Sequence, residues 1–134
     1  MSGGTLALGG HTQALGLLTI TANSVFNFGG SGGTLTFANS SAQAWSGTLT
    51  ITNYNSALNS LSFGNSGAGL TATQLSQIRF ADYGNVAGQI NALGLVSPSA
   101  IPEPATWAGI AGAVALGAAV MRRRRWVSLR TDRE

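Results

Sequence analysis

The sequence predicts a mainly β chain: a short-strand β-solenoid or β-sandwich repeat region, a small α+β cap, and one C-terminal transmembrane helix. Three observations carry this. Apolar anchors recur at Leu6, Ile20, Leu35, Leu49 and Phe63, spaced 14, 15, 14 and 14 residues apart. Around each anchor, apolar and hydroxyl residues alternate with a period of two, which places Leu, Ile and Phe on one strand face and Thr or Ser on the other. Far downstream, residues 105–121 are uncharged and lead directly into Arg122, Arg123, Arg124 and Arg125. The implied boundaries are a β-repeat region over 1–56, a capping module over 57–98 and a tail over 99–134. The tail divides into a linker, 99–104, a membrane helix, 105–121, and a basic segment, 122–134.

The strands read in order as Thr5-Leu6-Ala7-Leu8, Leu18-Thr19-Ile20-Thr21, Val25-Phe26-Asn27-Phe28, Thr34-Leu35-Thr36-Phe37, Thr48-Leu49-Thr50-Ile51-Thr52 and Leu61-Ser62-Phe63. Gly29-Gly30-Ser31-Gly32-Gly33 and Asn53-Tyr54-Asn55-Ser56 punctuate them as turns. Units this short cannot each bury a face, so stacking must supply the core. Thr71-Ala72-Thr73-Gln74 then has capping-box spacing and opens a short helix to about Gln77. Ile78-Arg79-Phe80-Ala81 reads as a strand. Gly88-Gln89-Ile90-Asn91 and Leu95-Val96-Ser97 read as a hairpin around Ala92-Leu93-Gly94. This module is expected to close the end of the stack and hide its last strand edge.

Composition excludes most chemistry. Residues 1–100 hold two strongly charged side chains, Arg79 and Asp82, which cancel and are close enough in sequence to pair. The net charge of +3 therefore belongs to the tail, where six arginines outweigh Glu103, Asp132 and Glu134. Basicity confined to an anchor-like segment does not describe a nucleic-acid surface, and no nucleic-acid partner is expected. The absence of cysteine excludes a disulfide framework and a thiolate metal site. His11, the one histidine, sits in the turn Gly9-Gly10-His11-Thr12 without a nearby carboxylate. With Asp82 as the one acid before the tail, a triad or a two-carboxylate hydrolase cannot be assembled from residues 1–100. No catalytic residue, metal or cofactor is expected, and the chain does not read as an enzyme.

The tail has a physical reading of its own. As a helix, residues 105–121 span roughly 25 Å, slightly less than a hydrocarbon core of about 30 Å. Trp107 and Trp126 stand near its two ends, where membrane interfaces favour indoles. Four arginines stop transfer and remain cytoplasmic, giving an N-terminus-out orientation. Pro102 and Pro104 disfavour helix just upstream and keep the linker extended.

Taken together, Pro102-Glu103-Pro104, the apolar run and the arginine cluster resemble the PEP-CTERM sorting signal of bacterial exported proteins, also described as the ice-binding protein C-terminal domain. The resemblance covers about a quarter of the chain. It implies recognition at Pro102, Glu103 and Pro104 by an exosortase-type membrane enzyme, which cuts near that motif. It also implies a membrane stop at Arg122, Arg123, Arg124 and Arg125. The segment 126–134 departs from the pattern, in which such tails end soon after the arginines. Upstream, the segment 24–56, with its Gly33-Thr34-Leu35-Thr36-Phe37-Ala38-Asn39-Ser40-Ser41 and Trp45-Ser46-Gly47-Thr48-Leu49-Thr50-Ile51-Thr52-Asn53 pieces, is similar in style to the autotransporter-associated β-strand repeats of bacterial surface proteins, which implies a passenger-like scaffold.

The expected function is thus an exported surface or extracellular-matrix structural protein. It would sit in the inner membrane as a precursor and at the cell surface or outside the cell once processed, with exopolysaccharide as a further candidate partner. The alternative is binding of ice or a repetitive polysaccharide by the rows Thr19/Thr21, Thr34/Thr36 and Thr48/Thr50. Met1-Ser2-Gly3-Gly4-Thr5 has neither a basic n-region nor an apolar h-region, so the chain is read as the C-terminal part of a longer exported protein or as one with a misplaced start.

Overall fold

Alternation decides the strands. In the segment Thr34–Phe37, Leu35 and Phe37 are buried while Thr34 and Thr36 lie on the opposite, half-buried face. The computed structural model describes residues 1–100, of which Met1–Ser99 form one compact unit. Its elements are β1 (Ser2–Ala7), β2 (Thr12–Ala14), β3 (Ala22–Asn27), β4 (Thr34–Phe37), β5 (Leu49–Thr52) and β6 (Ser60–Phe63), then α1 (Ala72–Gln77), β7 (Ile78–Phe80), a 3₁₀ turn (Ala81–Tyr83), β8 (Val86–Ile90) and β9 (Leu95–Pro98). The chain is mainly β, as expected.

The nine strands make one curled sheet in the order β1-β3-β5-β7-β8-β9-β6-β4-β2. It contains two parallel ladders, β1-β3-β5-β7 and β2-β4-β6, and successive strands alternate between them up to β6. From Leu35 through Leu49 to Phe63 the anchor spacing of 14 residues is therefore a half-turn, not a repeat unit. Aligned positions within a ladder lie farther apart, as in the column Leu6, Phe26, Ile51 and Phe80. On the other ladder the column runs Leu35, Leu61 and Val96. β8 pairs antiparallel with β7 and with β9, and β9 pairs antiparallel with β6, so one hairpin closes both ladders at that end. The expected break at 56/57 falls inside continuous ladders, because β6 stacks on β4 and β7 on β5.

The inner faces meet in an aromatic core. Phe26 of one ladder stacks on Phe37 of the other with ring centroids 5.6 Å apart, and Phe37 stacks on Phe63 at 5.0 Å. Tyr54 meets Phe80 edge-on at 5.0 Å. Each such buried side chain contributes about 1.5–3 kcal/mol. Asparagines tie consecutive turns together. Asn53 Nδ2 donates to Asn27 Oδ1 at 2.9 Å, and Asn23 Oδ1 accepts from the Thr48 backbone and hydroxyl at 3.0 Å each.

Two local expectations need correction. Leu18-Thr19-Ile20-Thr21 forms no strand, although Leu18 and Ile20 are buried. Its backbone groups serve neighbouring loops instead. The Ser46 N–H donates to the Ile20 carbonyl at 2.8 Å, and Trp45 Nε1 donates to the Leu18 carbonyl at 2.9 Å. Ala81 opens the 3₁₀ turn rather than ending β7. Among the described residues no helix is long and apolar enough to cross a membrane. The expected membrane helix over 105–121 lies outside the described residues.

Candidate functional site

The sorting and stop residues Pro102, Glu103, Pro104, Arg122, Arg123, Arg124 and Arg125 lie outside the described residues. Within residues 1–100, the structure tests what the threonines and the few titratable groups can do together.

The six threonines do not share one face. Thr34 and Thr36 project from β4, Thr50 from β5, and Thr48 just precedes β5 on the other ladder. Thr19 and Thr21 occupy the loop before β3, where the Thr19 hydroxyl donates to Gln43 Oε1 at 2.9 Å and the Thr21 hydroxyl to the Met1 carbonyl at 3.3 Å. Thr50 stands between Val25 and Arg79 in register, so its column is not a row of hydroxyls. The β4 pair is different. Thr12, Thr34 and Ser60 align across three strands, as do Ala14, Thr36 and Ser62, and the Ser62 hydroxyl donates to Thr36 Oγ1 at 3.1 Å. Thr12, Ser60 and Ser62 were not legible as partners of Thr34 and Thr36, because a 14-residue period pairs each strand with the wrong neighbour.

The titratable groups do not converge. His11 is exposed in its turn. Asp82 makes no ion pair with Arg79; instead its Oδ2 accepts the Tyr54 backbone N–H at 3.0 Å. That bond fixes the turn after β5 against the 3₁₀ turn. No group of three His, Cys, Asp or Glu side chains suited to a metal occurs among the described residues. The Tyr54 phenol is pushed above its ordinary value, first by burial and then by the neighbouring Tyr83.

Two grooves remain. One, of about 320 Å³, is lined by Tyr54, Asn59, Ser60, Asn91, Val96 and Ser97 among others. There Asn91 Oδ1 accepts the N–H groups of Leu93 and Leu95, and Asn59 bridges the Asn55 N–H and the Ser31 carbonyl. The other, of about 500 Å³, opens at the β1/β2 end and is largely apolar, with Leu6, Leu15, Leu17, Leu18 and Phe37 in its lining.

The most connected polar residue is one that sequence reading took only as a cap. Gln74 is 3% exposed. Its Oε1 accepts the Thr71 N–H at 2.7 Å, while the Gln74 N–H donates to Thr71 Oγ1 at 3.2 Å, completing the capping box. Its Nε2 donates to the carbonyls of Ser40 and Gln43 at 2.9 and 2.8 Å. The buried Ser40 hydroxyl in turn accepts the Leu18 N–H at 2.9 Å. These contacts are structural: they hold three loops side by side and leave no free polar atom on Gln74. Comparison with family models, curated proteins and solved structures gives no match for this chain.

Proposed function

We propose that the chain is an exported structural protein of the bacterial surface or matrix, tethered by its C-terminal helix until an exosortase-type enzyme cuts near Pro102-Glu103-Pro104. The carrying observation is the order of that motif, the uncharged run 105–121 and Arg122, Arg123, Arg124 and Arg125 in the tail. The described residues support a displayed scaffold: two parallel ladders stacked on an aromatic core, closed at one end by a hairpin, with two opposite charges. Within this reading the unit is a β-solenoid in which each turn supplies one strand to each ladder. Such a stack extends by adding turns and needs no ligand to hold it.

The test replaces Pro102, Glu103 and Pro104 together by alanine in the native cell. The expected result is an uncut species held in the inner membrane. Serines in place of the four arginines should separately impair membrane stop-transfer. Unchanged mass and location of both variants would refute the sorting reading.

A second reading has one observation in its favour. The aligned hydroxyls of Thr12, Thr34 and Ser60, beside the half-buried Thr36 whose hydroxyl is held from below by buried Ser62, form a small repetitive face of the kind that ice or a polysaccharide would meet. Thr34→Lys with Thr36→Lys should abolish retention on an insoluble polysaccharide or adsorption to ice. Unchanged retention or adsorption in the variant would count against this face.

A further inference from the structure

Nine asparagines occur in the chain, and Asn39 is the one with a hydroxyl residue two places on. The triplet is Asn39-Ser40-Ser41, with no proline inside it or directly after it. Asn-x-Ser/Thr is the pattern at which asparagine accepts a glycan in exported chains. Here it follows β4, which ends at Phe37. Asn39 is exposed, as is Ala38 before it, whereas Ser40 is fully buried. The Ser40 side chain is committed inward: its hydroxyl donates to the Ala38 carbonyl and accepts the Leu18 N–H, each at 2.9 Å. Gln74 Nε2 holds the Ser40 carbonyl from behind at 2.9 Å. The loop is thus fixed at Ser40 and offers Asn39 to solvent.

Local geometry prepares the Asn39 amide. Its Oδ1 accepts the Ser41 N–H at 3.0 Å and the Ser41 hydroxyl at 2.7 Å. Both bonds fall on the oxygen, and among the described residues Asn39 Nδ2 has no hydrogen-bond partner. Elsewhere such nitrogens are used: Asn53 Nδ2 donates to Asn27, and Asn59 Nδ2 to the Ser31 carbonyl. Two donors on Oδ1 also stabilise the charge that grows there as Nδ2 gives up a proton. The neighbouring turn leaves room, because Gly64 lies against Asn39 and an added Cβ there would come within 3.3 Å of Asn39 Cβ.

We propose that Asn39 is a glycosylation site, its Nδ2 accepting an oligosaccharide from a lipid-linked pyrophosphate donor outside the cytoplasm. The location of the donor rests on the exported reading; the acceptor geometry stands without it. Nδ2 forms a bond to the anomeric carbon of the first sugar, and the bond from that carbon to the pyrophosphate oxygen breaks. The lipid pyrophosphate leaves with the electron pair, a base on the transferase takes the Nδ2 proton, and nothing is oxidised or reduced. A glycan here adds bulky, solubilising surface to a region, residues 1–100, that holds two strongly charged side chains.

The test is the mass of the native full-length product, and of its peptide carrying Asn39, in cytoplasmic, membrane, surface and medium fractions of its own cell. Wild type and Ser41→Thr, which keeps the hydroxyl, should carry sugar mass on Asn39. Asn39→Gln and Ser41→Ala should lose it, with all four proteins in the same fractions. An exported wild-type chain with unmodified Asn39 would overturn the inference and leave the exported reading standing. An unmodified chain confined to the cytoplasm would overturn both. Sugar retained in Ser41→Ala, or already present on cytoplasmic chain, would overturn motif-directed transfer from a lipid-linked donor.

Discussion

Replacing Gln74 by leucine separates helix capping from loop anchoring. The leucine keeps the volume and removes every side-chain polar contact, while the backbone N–H of residue 74 keeps its bond to Thr71 Oγ1. The Gln43 carbonyl then loses its one donor among the described residues, at about 1–3 kcal/mol for a desolvated group left unpaired. The Ser40 carbonyl keeps the Gln43 N–H at 2.9 Å, so its loss is smaller. Loss of the return half of the capping box, the Thr71 N–H bond to Gln74 Oε1, adds about 1 kcal/mol. The total is about 2–4 kcal/mol, a large share of the 5–15 kcal/mol that usually holds a domain. For a unit of this size each kcal/mol moves the midpoint by about 4–8 °C, so a drop of at least about 8 °C is expected. Thr71→Ala, which removes the cap hydroxyl alone, should cost only about 1 kcal/mol. The assay is thermal unfolding of both full-length variants in the same detergent, followed by far-ultraviolet circular dichroism. Hydrogen exchange of the 38–46 segment provides the local readout and should accelerate in Gln74→Leu only. If Gln74→Leu is no less stable than Thr71→Ala, the bridge across the loops contributes nothing and the reasoning fails.

Three further outcomes follow from the same geometry. Gly94 has a φ of +81°, and an added Cβ would lie 2.7 Å from the Gly64 carbonyl oxygen and 2.8 Å from that of Phe63. Gly94→Ala should therefore cost about 2–4 kcal/mol from backbone strain and overpacking, seen as a lowered denaturant midpoint. Phe63→Ala removes the ring stacked on Phe37 and should cost about 3–5 kcal/mol in the same measurement. The Tyr54 phenol is raised from 10.0 by burial and then by Tyr83. Its contribution to stability is thus present below about pH 10 and lost as pH rises through the folded value. An ultraviolet titration should show a late-ionising tyrosine that is missing in Tyr54→Phe, whose melting point at pH 7 should change little because the hydroxyl lies a long 3.5 Å from the Val96 carbonyl.

Much of the fold is legible where local signals act alone. Thr34–Phe37 has strict alternation and both faces in play, and the strand matches the reading residue for residue. The helix begins at its capping box and ends at Gln77, because Thr71 and Gln74 satisfy each other locally. The β8–β9 hairpin is marked by Asn91 and Gly94, whose turn requires a left-handed glycine. What the sequence hides is register. Leu18 and Ile20 carry the periodicity of a strand, yet Trp45 and Ser46 take their carbonyls sideways. Thr12–Ala14 is a strand with no apolar residue larger than alanine, since its inner face is uncovered and hydropathy leaves no trace there. The Gln74 bridge depends on two carbonyls more than thirty residues away. No local pattern announces such a contact.

The proposed function rests on the sequence of the tail. The most direct measurement is the intact mass of the native product from membrane, surface and medium fractions of its own cell. A surface or released species ending near Glu103, with the uncut chain in the inner membrane, is the expected result. A single membrane-bound species that retains 126–134 would contradict processing and leave a plain single-span anchor.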